Sequence, residues 1–291
     1  IKEEMNKIGL KEVSMDEFPV HSWEFTSAYL EILSPEGDKF TLSSYCGLPG
    51  TDPDGITAEI IDVGKGTAAE YEDVDAKGKI VLITIDLNMD HWISGPAYQA
   101  ELRGAKACIV TYRGKSYGTR MDAINSFDSQ CRHTIPVVNI SRKDGQSLKE
   151  KLKTESVTAK LTADIKFDLD GRSHNVVGLI PGKKRDKYII LGAHMDGYFH
   201  AYQDDALGVG IDMAIAKSII ESGYEPEYTI IFIAHGSEEY GISNYHYDWC
   251  IGSWYAVNKL YPDWAGNTIA FLNIDAIRPG TPKYVINSTT E

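Results

Sequence analysis

The chain lacks the marks of most specialised protein classes. It has only four cysteines, Cys46, Cys108, Cys131 and Cys250, and none of them form a CxxC pair. That excludes a disulfide-dense mini-scaffold and a zinc finger, but leaves the redox compartment open. Positive charge is scarce: 29 Lys and Arg stand against 42 Asp and Glu, a formal net charge of −13. So acidic a chain is poorly suited to nucleic acid or to an anionic membrane surface. No apolar run approaches the roughly 18 residues of a membrane span. The longest, Ile80–Ile85 and residues 229–234, are strand-sized. No basic region followed by an apolar core marks a signal peptide, so secretion and a cytoplasmic setting both stay open. The chain starts at Ile1 within a helix-like stretch and stops at Glu291 soon after a strand-like run at 283–286. The expectation is a chain cut at both ends.

What is present suits a packed protein. With 291 residues, 43% hydrophobic and 24% charged, the chain can bury a core without help from disulfides or metal. There is no obvious repeat or low-complexity tract. The first 40 residues read as a short helix, a turn near Phe18 and Pro19, and an alternating run at 27–33. A Gly- and Pro-rich loop at 47–55 follows. Strand-like segments then fall at 58–63, Ile80–Ile85, 107–111, 134–140 and 156–161, with helical patterns at 97–104 and 144–152. Many short strands and little helix point to a β-rich module. After about Asp170 the texture changes. Strands at 175–180, 188–193, 228–234 and 268–274 alternate with helices at 208–222 and 253–260. Such alternation predicts an α/β sheet with helices on its faces, and sites in such sheets gather at strand ends.

Four features sit at those ends. His194-Met195-Asp196 follows one strand; alone, it is more often a hydrogen-bonded pair than a metal site. Asp204-Asp205-Ala206-Leu207-Gly208 leads into a helix, where an N-cap is the plain reading. Gly236-Ser237-Glu238-Glu239-Tyr240-Gly241 follows the most apolar strand, and paired carboxylates there are costly unless something positive compensates them. Asp275 closes the last strand and alone could be a turn residue. Together they offer one imidazole and several carboxylates, a mixed N/O set suited to zinc or a similar divalent ion. One carboxylate is left over as a base, as metal-assisted hydrolysis requires. Asp196 is placed to accept the other ring N–H of His194 and fix its tautomer.

The series GAHMD, DDALG, GSEEYG and NID, in that order over residues 175–291, resembles the M28 family of co-catalytic zinc peptidases. Residues 74–85, Gly104-Ala105 and Ile135-Pro136-Val137-Val138, with Ser141 and Asp144-Gly145, resemble the protease-associated (PA) domain. The resemblance implies a mixed-sheet α/β/α zinc-exopeptidase domain from residues 1–40 and 170–291, with a β-rich PA-like insert at 41–169. It implies two zinc ions per active site in the complete protein. His194 and Asp275 would bind one, Glu239 the other, and Asp204 would bridge them, with a cis peptide between Asp204 and Asp205. Glu238 would be the general base for a metal-bridging water that attacks a peptide carbonyl. The family's final ligand is a histidine well downstream of the Asp275 position, and the 16 residues after Asp275 contain none. His235 reads as a satisfied structural side chain, and His200 and His246 as loop residues.

The leading expectation is therefore an exopeptidase acting on peptide substrates, most simply an aminopeptidase, since an acidic cleft suits a free ammonium group. A carboxypeptidase of the same family would need a basic grip, for which Arg278 is a candidate. A receptor or scaffold without activity and a glutaminyl-cyclase-like acyltransferase stay open, as does a homo-oligomer. Tyr245, Tyr247 and Trp249 are candidates for lining a substrate pocket, although packing is the simpler role for each. Asn139-Ile140-Ser141 and Asn287-Ser288-Thr289 match the glycosylation pattern.

Overall fold

A computed structural model describes residues 1–35, 37–86, 92–113, 120–124, 134–242 and 249–277. The chain divides into two compact units. Unit 1 comprises Ile1–Phe18, Ser173–Glu239 and Cys250–Glu291, and unit 2 comprises Pro19–Arg172 and Tyr240–Trp249. The sequence reading drew its boundaries at residues 40 and 170, whereas here residues 19–40 cluster with unit 2.

In unit 1, the last part of β7 (Val157–Ile180) runs antiparallel to β9 (Tyr228–His235). Strand β8 (Lys184–His194) lies parallel to β9, and β10 (Thr268–Asn273) lies parallel to β8. Strand β9 is apolar at nearly every position because both of its faces are covered. Ile230, Phe232 and Ala234 join Met5, Leu191, Val209 and Ala216 in one cluster, while Ile231 and Ile233 join Val177, Ile190, Ala256 and Trp264 in another. The first cluster lies under α1 (Lys2–Ile8) and α4 (Leu207–Ser222). The second is met by the segment from α5 (Ile251–Tyr255) to α6 (Trp264–Asn267). Helix α4 ends at Gly223, whose φ of 70° closes the last turn with an N–H bond to the Ile220 carbonyl. These layers are the α/β architecture expected from the alternating pattern.

In unit 2 the strand order is β1 (Lys11–Ser34), β2 (Lys39–Ser44), β6 (Val137–Ile140), β5 (Ala107–Tyr112), β4 (Ile80–Ile85), β3 (Ile56–Asp62) and the first part of β7. Strands β3 to β6 are parallel, and the flanking pairings are antiparallel. Alternation divides β4 between two cores. Ile80 and Leu82 face a cluster with Ile109, Val138 and Leu148, the last from α3 (Arg142–Leu152). Val81, Ile83 and Ile85 face a cluster with Ala97 and Ala100 of α2 (Ser94–Leu102). Helix α3 packs closely because residue 145 is glycine: a Cβ there would lie 2.4 Å from Thr111 Oγ1.

Three local expectations change. The turn near Phe18 and Pro19 is absent, because β1 runs through it; proline's fixed φ is compatible with extended chain where no ladder donor is required. The runs at 156–161 and 175–180 are two ends of the single 24-residue strand β7. Asn139 is fully buried, and its Nδ2 donates to the Val110 carbonyl at 2.9 Å, so in the folded chain this acceptor pattern is closed to glycosylation. The second such pattern and the run at 283–286 lie outside the described residues. Among the described residues no helix is long and apolar enough to cross a membrane.

Leu82 is fully buried between strands of unit 2. Leu82→Ala should lower unfolding free energy by about 3 kcal/mol, read from denaturant unfolding of this unit; a change within error would remove Leu82 from the core.

Candidate metal centre

Because β8, β9 and β10 are parallel, their C-terminal ends share one edge of unit 1. His194 is the last residue of β8, Glu238 and Glu239 lie just past β9, and Asp275 just past β10. The segment entering α4 brings Asp204 and Asp205 to the same place. His194 is only 3% exposed. Its Nε2 lies 2.9 Å from Asp204 Oδ1 and 3.8 Å from Asp275 Oδ1. Single ligand atoms of His194, Asp204 and Asp275 fall within 4.8 Å of one another, and so do those of His194, Glu238 and Glu239. The structure thus gathers Asp204, Asp275, Glu238 and Glu239 around one imidazole, that of His194.

Asp196 completes the arrangement. Its Oδ1 lies 3.6 Å from His194 Nδ1, a buried nitrogen with no hydrogen bond among the described residues. Its two oxygens also accept the backbone N–H groups of Glu238 at 3.1 Å and Glu239 at 3.0 Å. One carboxylate therefore faces the histidine and holds the turn that carries the glutamate pair. That turn has a positive φ of 52° at Ser237. It is clamped from below by Asn175, which accepts from Gly236 N at 3.1 Å and donates to the Gly252 carbonyl at 2.8 Å.

Some of these residues were not singled out by sequence. Asp205 is fully buried and accepts from the backbone N–H of His194 and of Gly208, both at 3.2 Å. It joins the end of β8 to the start of α4. The peptide between Asp204 and Asp205 is cis. Gly208 is the readable trace of this lock, since a Cβ there would sit 2.4 Å from the Asp205 carboxylate. Asp212, one turn further into α4, is also buried. His235 departs from expectation: it is buried, yet among the described residues neither ring nitrogen has a hydrogen-bond partner, and its ring meets Phe271 edge-on. Gly192 leaves the notch that admits both rings. His200 is exposed and joins neither ligand group. His246, Tyr245, Tyr247 and Arg278 lie outside the described residues; Trp249 is half-buried.

The electrostatics follow from crowding carboxylates out of water. Burial, then the charges of Asp204 and Glu238, push Glu239 up to about 8. Burial also raises Glu238, opposed by a hydrogen bond from Cys250. Burial raises Asp205 to about 6 and Asp212 to about 7. At His194 burial works against the charged form, but the facing carboxylates of Asp196 and Asp204 prevail and carry it up to about 11. Without a metal, therefore, this site holds protons that a divalent cation would displace. The donors are one imidazole nitrogen and several carboxylate oxygens, and the second imidazole nitrogen faces Asp196. That set fits zinc.

Residues 175–291 match the model of Peptidase family M28, and residues 54–148 match that of the PA domain. The chain is 24% identical over 248 residues to "Carboxypeptidase Q" of Bos taurus, covering 80% of this chain and 51% of that protein. It is 24% identical over 287 residues to "Probable leucine aminopeptidase 2" of Aspergillus fumigatus, covering 97% and 52% respectively. It thus spans about half the length of these curated relatives. Among solved structures it is similar to BSAP, a zinc aminopeptidase from Bacillus subtilis, with a TM-score of 0.73 and 25% identity over 94% of this chain and 61% of that one. The resemblance read from the motifs is upheld in both segments.

The crowding has a signed consequence for stability. Glu239, Asp212 and His194 bind protons more tightly folded than unfolded, so their contribution falls as pH rises through the interval. His235, which burial pushes down to about 4, acts in the opposite sense, but only below its ordinary range. The melting temperature of EDTA-treated protein should therefore fall between pH 6.5 and 8. Added zinc should raise it and flatten the slope. A melting temperature that climbs over that interval without metal would contradict the crowding.

Proposed function

We propose that this M28 segment belongs to a zinc-dependent exopeptidase, an aminopeptidase, that hydrolyses the peptide bond next to a free N-terminus. The observation that carries the reading is the convergence of His194, Asp204, Asp275, Glu238 and Glu239 within two overlapping groups of 4.8 Å. In this reading His194 and Asp275 would hold one zinc ion, Glu239 would help to hold a second, and Asp204 would serve both. Zinc supplies Lewis acidity at the substrate carbonyl and lowers the pKa of water. Asp196 fixes the His194 ring through Nδ1, leaving Nε2 as the ligand atom.

Glu238 serves as the general base. Burial raises its carboxyl above its ordinary value, the direction that makes it a stronger base. It takes the proton of the attacking water and passes it to the leaving amine. The carboxylates facing the site favour a substrate ammonium over a substrate carboxylate, which is why aminopeptidase is preferred to carboxypeptidase. We read the PA-like module, residues 41–169, as an insert without chemistry of its own, with residues 1–40 and 170–291 forming the peptidase domain.

Two measurements test this. Glu238→Gln should lower kcat by about 10²–10⁴-fold while zinc content stays as in the wild type; appreciable residual turnover would remove Glu238 from the base role. A peptide with a free N-terminus should be cleaved and its N-acetylated twin should not. Equal cleavage of the two would favour the carboxypeptidase reading or an endopeptidase.

A further inference from the structure

Cys250 stands 12 residues from Glu238 along the chain, and the sequence motifs say nothing about it. The structure returns it to that turn. Its backbone N–H donates to the Glu238 carbonyl at 2.8 Å, and the next N–H, of Ile251, donates to the Ser237 carbonyl at 2.9 Å. Its Sγ lies 3.3 Å from Glu238 Oε1. Cys250 is held there from both sides. Asn175 bridges Gly236 and Gly252, and a Cβ at residue 252 would fall 2.1 Å from the Gly236 carbonyl, so the two segments are in backbone contact. The residue adopts a positive φ of 61° immediately before α5. The thiol is thus presented to the glutamate by a fixed frame rather than by a mobile loop.

We propose that Cys250 is a positioning residue for Glu238, its thiol donating a hydrogen bond that fixes the rotamer of the carboxylate. This rests on the reading of Glu238 as the base. One Glu238 oxygen is occupied by the thiol. The carboxylate also falls in the 4.8 Å group with His194 and Glu239, so fixing its rotamer fixes its approach to the proton it must accept. A carboxylate free to rotate would spend part of its time turned away, and the loss would appear in kcat rather than in KM. The thiol is also half-buried rather than sealed. An alkylating reagent that reaches it forms an S–C bond, expels its leaving group and removes the donor, placing bulk against the base.

The test uses the zinc-loaded full chain. Cys250→Ala should lower kcat roughly tenfold, the loss of one hydrogen bond to a charged group, with KM and zinc content unchanged. Cys250→Ser, which restores a donor, should recover most of the rate. In the Glu238→Gln background, Cys250→Ala should have no further effect, because both act on one proton transfer. Wild-type rate in Cys250→Ala, or a Ser variant as slow as the Ala variant, would overturn the positioning role. High activity in Glu238→Gln alone would instead overturn the base assignment, so the two failures are distinct. A readout independent of turnover is the rate of Cys250 alkylation by iodoacetamide, followed by peptide mass spectrometry. It should rise several-fold in Glu238→Gln, where the thiolate no longer faces a carboxylate; equal rates would show that the thiol does not meet Glu238.

Discussion

The rest of the site depends on the crowding of carboxylates around one buried imidazole. Like charges held together in a poorly solvated place repel and raise one another's pKa. Here burial, then the neighbouring negative charges, carries Glu239 to about 8, and the same carboxylates outweigh burial at His194 and hold it up to about 11. Such an arrangement has no evident value in a protein that only needs to fold, because apolar side chains would fill the same space at lower cost. It is relieved by a divalent cation, and the residues that would hold one are also those whose protons it would displace.

The fold supplies that crowding by a simple rule. Three parallel strands end on one edge, and each delivers a different part: the imidazole, the glutamate pair and the final aspartate. Their side chains are then fixed by bonds to backbone. Asp205 ties the end of β8 to the start of α4, Asp196 beside the histidine holds the glutamate turn, and Asn175 ties that turn to the start of α5. Two of the carboxylates in the motif string, Asp205 and Asp196, thus brace backbone, which is how a set of loops can hold a defined geometry.

Much of this is legible in the sequence. The switch from short strands to strand–helix alternation near Asp170 announces the α/β unit, and the apolar run of β9 announces a strand covered on both faces. The motif order places His194, Asp204, Glu238, Glu239 and Asp275 before any coordinate is seen. Other features are not legible, for physical reasons. The turn signal at Phe18 and Pro19 is overridden by strand pairing. The continuity of β7 is hidden by its polar, exposed middle, where periodicity carries little information. Asp205 looks like a second cap residue until its two backbone partners are known. Cys250 stands 12 residues from Glu238, and only tertiary folding makes them neighbours. His235 reads as a paired histidine because sequence cannot show that the described residues around it leave both ring nitrogens without a hydrogen bond.

The measurement that tests the central claim most directly is zinc bound per chain after dialysis, by elemental mass spectrometry, in wild type and in His194→Ala. The account predicts tightly held zinc in the wild type and a clear loss in the variant, with the fold intact by circular dichroism. Wild-type protein that retains no zinc, or a His194→Ala protein that retains as much, would contradict it.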